Sequence, residues 1–160
     1  YASSYSKEEK RWRSSSSCNI HLISKIMRTP YNPKQNPRVI IIQKLYGKFF
    51  NDDAELIFPK HRFKKFIKDI VLGTIERNDL IKDEVKNHLS EDLQLTNLDK
   101  VFQIIVKAAI YELLYKPKVS TKIIIKEYLD ASNFFLEDSQ TKYLNAILDK
   151  IAKKIRSTNA

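Results

Sequence analysis

Apolar residues recur along this chain at helical spacing. From Arg38 to Phe50 it reads RVIIIQKLYGKFF, with Ile41, Leu45 and Phe49 four apart on one stripe of a helix. The VIII run alone also fits a strand, because β-branched residues favour extended backbone. The composition of the whole chain decides for helix. Ahead of this segment, RTPYNPKQNP (28–37) carries three prolines and is expected to be extended, with the ordered domain beginning near Asn36 and Pro37 in the first helical turn.

Residues 51–59 read as a connection. From Lys60 to about Glu76, Phe63, Phe66, Ile67, Ile70 and Val71 mark an apolar face, and Lys60, Arg62, Lys64, Lys65 and Lys68 mark the opposite one. Cations at the start of a helix oppose its macrodipole unless an anion is near. Solvated lysines are the commoner explanation. Gly73 inside this pattern predicts a close helix–helix approach. A third helix is expected from Asn78 to Leu89, with Leu80, Ile81, Val85 and Leu89 inward. Thr96-Asn97-Leu98-Asp99 resembles a capping box opening LDKVFQIIVKAAIYELLYK. That segment is apolar nearly all round and should form the central buried helix. After a break at Lys116–Ser120, capped by Ser120 or Thr121, comes IIIKEYLDASNFF. A last helix is expected over Asp138–Arg156, with Tyr143, Leu144, Ile147, Leu148, Ile151, Ala152 and Ile155 on one stripe. Lys142, Lys150, Lys153, Lys154 and Arg156 fall on its far side. The expectation is an all-α fold of six or seven helices in two packed groups, divided near residues 90–97.

Composition supports this. The chain has 160 residues and only two glycines, Gly47 and Gly73, too few for the tight turns of a sandwich or barrel. The single Cys18 rules out an internal disulfide framework and fits a reducing cytoplasm. No apolar run approaches the roughly 20 residues that span a bilayer, so no membrane association is expected. The net charge of +10 and pI of about 9.6 fit a polyanionic partner, RNA or DNA first. Lysine that merely solvates helix faces gives the same numbers.

Residues 1–26 differ from the rest, with a serine run, mixed charge and no helical period until Ile20. Met27 is the only methionine and a candidate natural start, which would leave the preceding residues outside the native protein. The competing reading is a basic RNA-binding arm built on Lys7, Lys10, Arg11, Trp12 and Arg13, where an aromatic among cations stacks on a base. The domains expected are therefore a lead-in over 1–35, a helical domain over 36–156 and a tail over 157–160.

Nothing in the sequence has the pattern of a catalytic or cofactor site. No Gly-rich phosphate loop can form from two distant glycines. His21, His61 and His88 lie in separate segments with no metal spacing to one another or to Cys18. Glu112 and Glu127 read as structural acceptors, with no nucleophile or base beside them. No cofactor and no metal are expected, and the reading is binding rather than catalysis.

Several segments, in order, resemble the NusB family. Arg38-Val-Ile-Ile-Ile-Gln43-Lys-Leu45-Tyr46 is similar to its first helix, R-x-x-A-x-Q-x-L-Y. Gly73 matches a family glycine near the end of the second-helix region. Leu98-Asp99 with Lys107-Ala-Ala-Ile-Tyr111-Glu112-Leu113 resembles L-D…R-x-x-x-Y-E-L. Val119 with Ile123-Ile-Ile-Lys-Glu127-Tyr128 resembles V-P-x-x-V-x-I-x-E-A/Y. Tyr143-Leu-Asn145-Ala-Ile-Leu-Asp-Lys150 resembles F-V-N-G/A-V-L-D-K. The resemblance covers about residues 36–156.

That resemblance implies two helical bundles side by side and a bacterial, cytoplasmic transcription antitermination factor that is not an enzyme. Such a factor pairs with ribosomal protein NusE on boxA RNA of ribosomal RNA transcripts, and joins other Nus factors on RNA polymerase to suppress termination. The residues it implies for RNA contact are Arg28, Lys34 and Arg38 at the lead-in and first helix, and Asp138, Lys142 and Tyr143 at the start of the last helix. Tyr143 also fits the core stripe. Gln43, Tyr46, Gly73, Tyr111, Glu112, Glu127 and Asn145 are motif positions read as structural, with Asn145 either bonding between helices or touching RNA. Two alternatives remain at this point. One is a NusB-like domain of a ribosomal RNA cytosine methyltransferase, which would continue into an α/β domain beyond Ala160. The other is a helical protein-interaction scaffold.

Overall fold

A computed structural model describes residues 35–88 and 98–158. Among these residues there are six helices and no strand: α1 (Pro37–Phe50), α2 (Lys64–Glu76), α3 (Asn78–His88), α4 (Lys100–Tyr115), α5 (Thr121–Ser132) and α6 (Asp138–Thr158). Arg28, Lys34, Leu89, Thr96 and the expected division near 90–97 lie outside the described residues.

α4 is the axis of the fold, and each of the other helices packs against it. Its sequence requires this: from Phe102 to Leu113 all but Gln103 are buried, so no face is left for solvent. α1 runs antiparallel to it. Arg38 at the start of α1 meets Glu112 near the end of α4, and Phe50 at the end of α1 lies under the ammonium of Lys100 at the start of α4. α6 runs the same way as α4, since Tyr143 packs by Phe102 and Arg156 reaches the carbonyls of Lys116, Pro117 and Val119. A cation on those terminal carbonyls satisfies orphan acceptors and complements the negative end of the α4 dipole.

α1 begins where the prolines end. Pro37 occupies the first turn, and the Asn36 side-chain oxygen accepts the Arg38 N–H at 3.0 Å. Val39, Ile40, Ile41 and Ile42 are all buried, so this run has no polar face to show a helical period, and α1 is enclosed on most sides. Fully burying one such side chain contributes about 1.5–3 kcal/mol.

Three local expectations need correction. α2 starts at Lys64 rather than Lys60, because the His61 ring nitrogen Nδ1 accepts the Phe63 N–H at 2.9 Å and holds the chain in a turn. Leu80 is 57% exposed, since Ile81 and Val85 already carry α3 into the core. Phe49, expected inward, lies partly open beside Lys107. Ser120 is the N-cap of α5 but caps it without a side-chain hydrogen bond.

Gly73 shows the close approach expected of it. A Cβ at that position would overlap the ring of Tyr111, so α2 and α4 touch there through backbone on one side and an aromatic on the other.

Candidate nucleic-acid interface

The cationic residue that sequence placed at the RNA surface is inside. Arg38 is 9% exposed. Its Nε donates to Glu112 Oε2 at 3.2 Å and its Nη2 to Glu112 Oε1 at 2.9 Å, while Glu112 has no exposure at all. Nη1 lies 3.6 Å from Glu127 Oε2. The guanidinium also stands 5.2 Å from the Phe66 ring centre and 5.4 Å from that of Tyr128. One side chain thus ties α1 to α2, α4 and α5. The two-pronged bond commits Nε and Nη2 to a fully buried carboxylate. Arg38 is thus the buried ion-pair partner of Glu112, a structural role that the sequence reading did not give it.

Glu112 and Glu127 carry the structural roles read from sequence, now with Arg38 as their partner. Tyr128 and Phe66 were not singled out, although the I-K-E-Y run contains the first of them. Tyr128 is wholly buried against the ion pair. Burial first, then the charge of Glu112, push its hydroxyl well above the ordinary tyrosine pKa.

The start of α6 is built differently. Gln140 Oε1 accepts the Glu137 N–H at 3.1 Å, the reach-back arm of a capping box, and Thr141 Oγ1 donates to the Glu137 carbonyl at 3.1 Å. These bonds fix the first turn. Asp138 is exposed in it, where a negative charge suits the helix dipole. Lys142 is exposed one turn on. Tyr143 is half-buried, its ring 5.6 Å from that of Phe102. The structure thus packs Tyr143 against the core while leaving it part-exposed, next in the chain to the exposed Lys142.

α4 separates this set from the Arg38 end of the bundle. Phe102 and Glu112 are about 15 Å apart along a helix rising about 1.5 Å per residue. Asp138 and Lys142 stand one turn apart on the same face of α6, with Tyr143 turned toward Phe102; Arg38 lies toward the other end of α4.

Among the remaining motif positions, Asn145 is exposed and lines a shallow groove with Lys122, Ile125, Lys126, Leu129 and Asp149, of about 290 Å³, rather than bridging helices in the core. Tyr46 is buried and stacks on Phe50 at 4.4 Å, and Gln43 is half-buried on α1. Lys107, at the family's arginine position, is mostly buried with its ammonium 4.7 Å from the centre of the Phe49 ring. Desolvation, then repulsion from Lys82, lower its pKa. No group of three or more metal-binding side chains occurs among the described residues. No helix among them is long and apolar enough to cross a membrane.

The sequence model of the NusB family matches residues 35–153. The chain belongs to the NusB family. Among curated relatives, the transcription antitermination protein NusB of Mesorhizobium japonicum is 29% identical over 92 residues, covering 58% of this chain and 59% of that one. The NusB of Rickettsia bellii is 38% identical over 85 residues, covering 53% of this chain and 54% of its own. The matched region thus spans somewhat over half the length of these relatives. The fold agrees with T. maritima NusB at a TM-score of 0.65 and 24% identity, over 77% of this chain and 92% of that one. It also agrees with a NusB crystallised with NusE and double-stranded RNA, at a TM-score of 0.63 and 16% identity over 76% and 97%. Within this NusB fold, the buried Arg38–Glu112 pair joins two of the motifs that resemble the family, the first helix and the YEL segment.

Proposed function

We propose that this NusB-family chain is an RNA-binding transcription antitermination factor, not an enzyme. In this reading it pairs with ribosomal protein NusE on boxA RNA of ribosomal RNA transcripts, and works with other Nus factors at RNA polymerase in the bacterial cytoplasm. Family membership supports it, as do relatives named for antitermination and a structural neighbour bound to NusE and RNA.

The observation that carries the proposal is the opening turn of α6. There the exposed cation Lys142 is followed in the chain by the half-buried Tyr143, whose ring lies 5.6 Å from that of Phe102. A cation for phosphate and a fixed flat face for an unstacked base are what recognition of single-stranded RNA needs. Asp138 places a carboxylate one turn before Lys142 on the same helix face. Arg28 and Lys34 join the proposed RNA set from the lead-in, and Arg38 leaves it. The test is Lys142→Ala, measured by anisotropy of labelled boxA RNA with NusE present. Loss of a charged hydrogen bond should weaken binding about tenfold, with the thermal melting curve unchanged. Unaltered affinity would remove α6 from the interface.

A further inference from the structure

The turn leading into α2 carries side chains that neither the core nor the α6 surface uses. Lys60, Arg62, Lys64, Lys65 and Lys68 fall between positions 60 and 68 with no carboxylate among them, and all are exposed. Several surface cations elsewhere on the molecule pair with acids. Lys153 is 3.1 Å from Asp149, Lys126 is 3.9 Å from Asp130, and Lys116 pairs with Asp69. Among the described residues none of the cations at 60–68 has a carboxylate partner. The nearest acid on this helix, Asp69, stands one turn from Lys65 but pairs with Lys116 instead, so the cluster keeps its charge.

An uncovered aromatic stands in the middle of the cluster. Phe63 is 45% exposed, with the Arg62 guanidinium 5.4 Å from its ring centre and the His61 ring 6.0 Å away. The His61 Nδ1 bond to the Phe63 N–H fixes that imidazole beside it. The helix behind is arranged against its own stability. Lys64 and Lys65 open α2 with no acid in its first turn and no side-chain cap, so positive charge is added to the positive end of the dipole. One turn further on, Phe66 lies under Arg38, which puts the cluster at the end of the bundle where the described chain enters α1.

We propose that residues 60–68 form a second RNA-binding surface, in which Lys60, Arg62, Lys64, Lys65 and Lys68 hold the phosphate backbone of single-stranded RNA and Phe63 stacks on one base. The cations alone would suit any polyanion. The bare ring among them fits the flat face of a base better than an acidic peptide. The inference rests on the RNA-binding reading above and extends it to the opposite end of α4 from Tyr143.

The test uses the full chain with two labelled probes, boxA RNA and an oligouridylate of about 20 nucleotides, longer than the site of one small domain. Binding is followed across a salt series. Lys64→Ala/Lys65→Ala should weaken binding of the oligouridylate and flatten its salt slope by about 1.4, at about 0.7 per phosphate on single strands. The same variant should melt at the wild-type temperature or higher, because alanine relieves the clash with the dipole. A structural role for these lysines requires the opposite sign. Phe63→Ala should lower affinity about fivefold or more without changing the salt slope, and Phe63→Trp should restore it. Wild-type affinity and slope in the lysine and Phe63→Ala variants would overturn the proposal. So would a loss of stability that parallels the loss of binding, or displacement of the oligouridylate by polyglutamate as readily as by unlabelled RNA. Failure to prefer boxA over a scrambled sequence would instead strike the antitermination reading, and leave the oligouridylate result to decide this surface on its own.

Discussion

Arg38 and Glu112 stand 74 positions apart in the chain and meet through two hydrogen bonds, with Nη2 and Oε1 2.9 Å apart in a site closed to solvent. Removing either partner strands the other. Glu112→Ala and Arg38→Ala should each destabilise the fold by about 3–5 kcal/mol in urea denaturation. Replacing both with apolar residues of similar volume should recover much of that loss. Arg38→Ala that keeps wild-type stability yet loses RNA affinity would return this arginine to the interface.

The pair also shows what the sequence could convey. Both residues stood out from the family pattern, and the buried helix around Glu112 marked it as a structural acceptor. Arg38 was read as an RNA contact because the family resemblance implies cations just before and into the first helix. Only tertiary packing supplies its partner, and no local pattern encodes a pairing across that separation. Helix number and placement were legible because each segment repeats apolar residues at helical period. The start of α2 was not, since the His61–Phe63 bond that delays it is a turn detail. The outward Leu80 was likewise hidden, because an apolar residue beside a core stripe reads as part of it. Tyr143 shows why the core stripe alone did not decide its place: the ring packs against Phe102 and yet is only half-buried.

Gly73 packs its backbone against the Tyr111 ring. Alanine in a helix normally gains about 1 kcal/mol over glycine. Here the added methyl group would sit within the ring, and overpacking costs about 1–3 kcal/mol. Gly73→Ala should therefore lower the urea midpoint. Combining it with Tyr111→Leu should lessen the penalty, and a plain gain in stability from Gly73→Ala would show that the helices have room there.

Tyr128 is buried beside the ion pair, and its hydroxyl has no hydrogen-bond partner among the described residues. Tyr128→Phe should be neutral or slightly stabilising at pH 7, since an unsatisfied buried group costs about 1–3 kcal/mol. Its pKa in the fold is raised well above 10.0, by burial and then by Glu112. The folded state therefore holds this proton more tightly than the unfolded chain. The associated stability is complete below pH 10 and is lost as pH rises beyond it, by up to about 1.4 kcal/mol per unit. Tyr111, also raised by burial, acts in the same direction. Urea titrations at pH 9 and 11 should show a smaller alkaline loss in Tyr128→Phe than in wild type. Equal losses would mean that Tyr128 ionises without resistance.

Surface charge gives a further expectation. Lys153 and Asp149 are exposed and 3.1 Å apart on α6, an i,i+4 pair open to water. Lys153→Ala should change stability by less than about 0.5 kcal/mol, and should leave boxA affinity alone if the RNA surface on α6 is confined to its opening turn. A large loss of affinity in this variant would extend that surface along the helix.

The most direct test of the central claim is the affinity of the full chain for boxA RNA against a scrambled sequence of the same composition, with NusE present, across a salt series. A NusB-type antitermination factor binds boxA more tightly at every salt concentration, and both affinities fall as salt rises. Equal affinity for the two RNAs with NusE bound would contradict it.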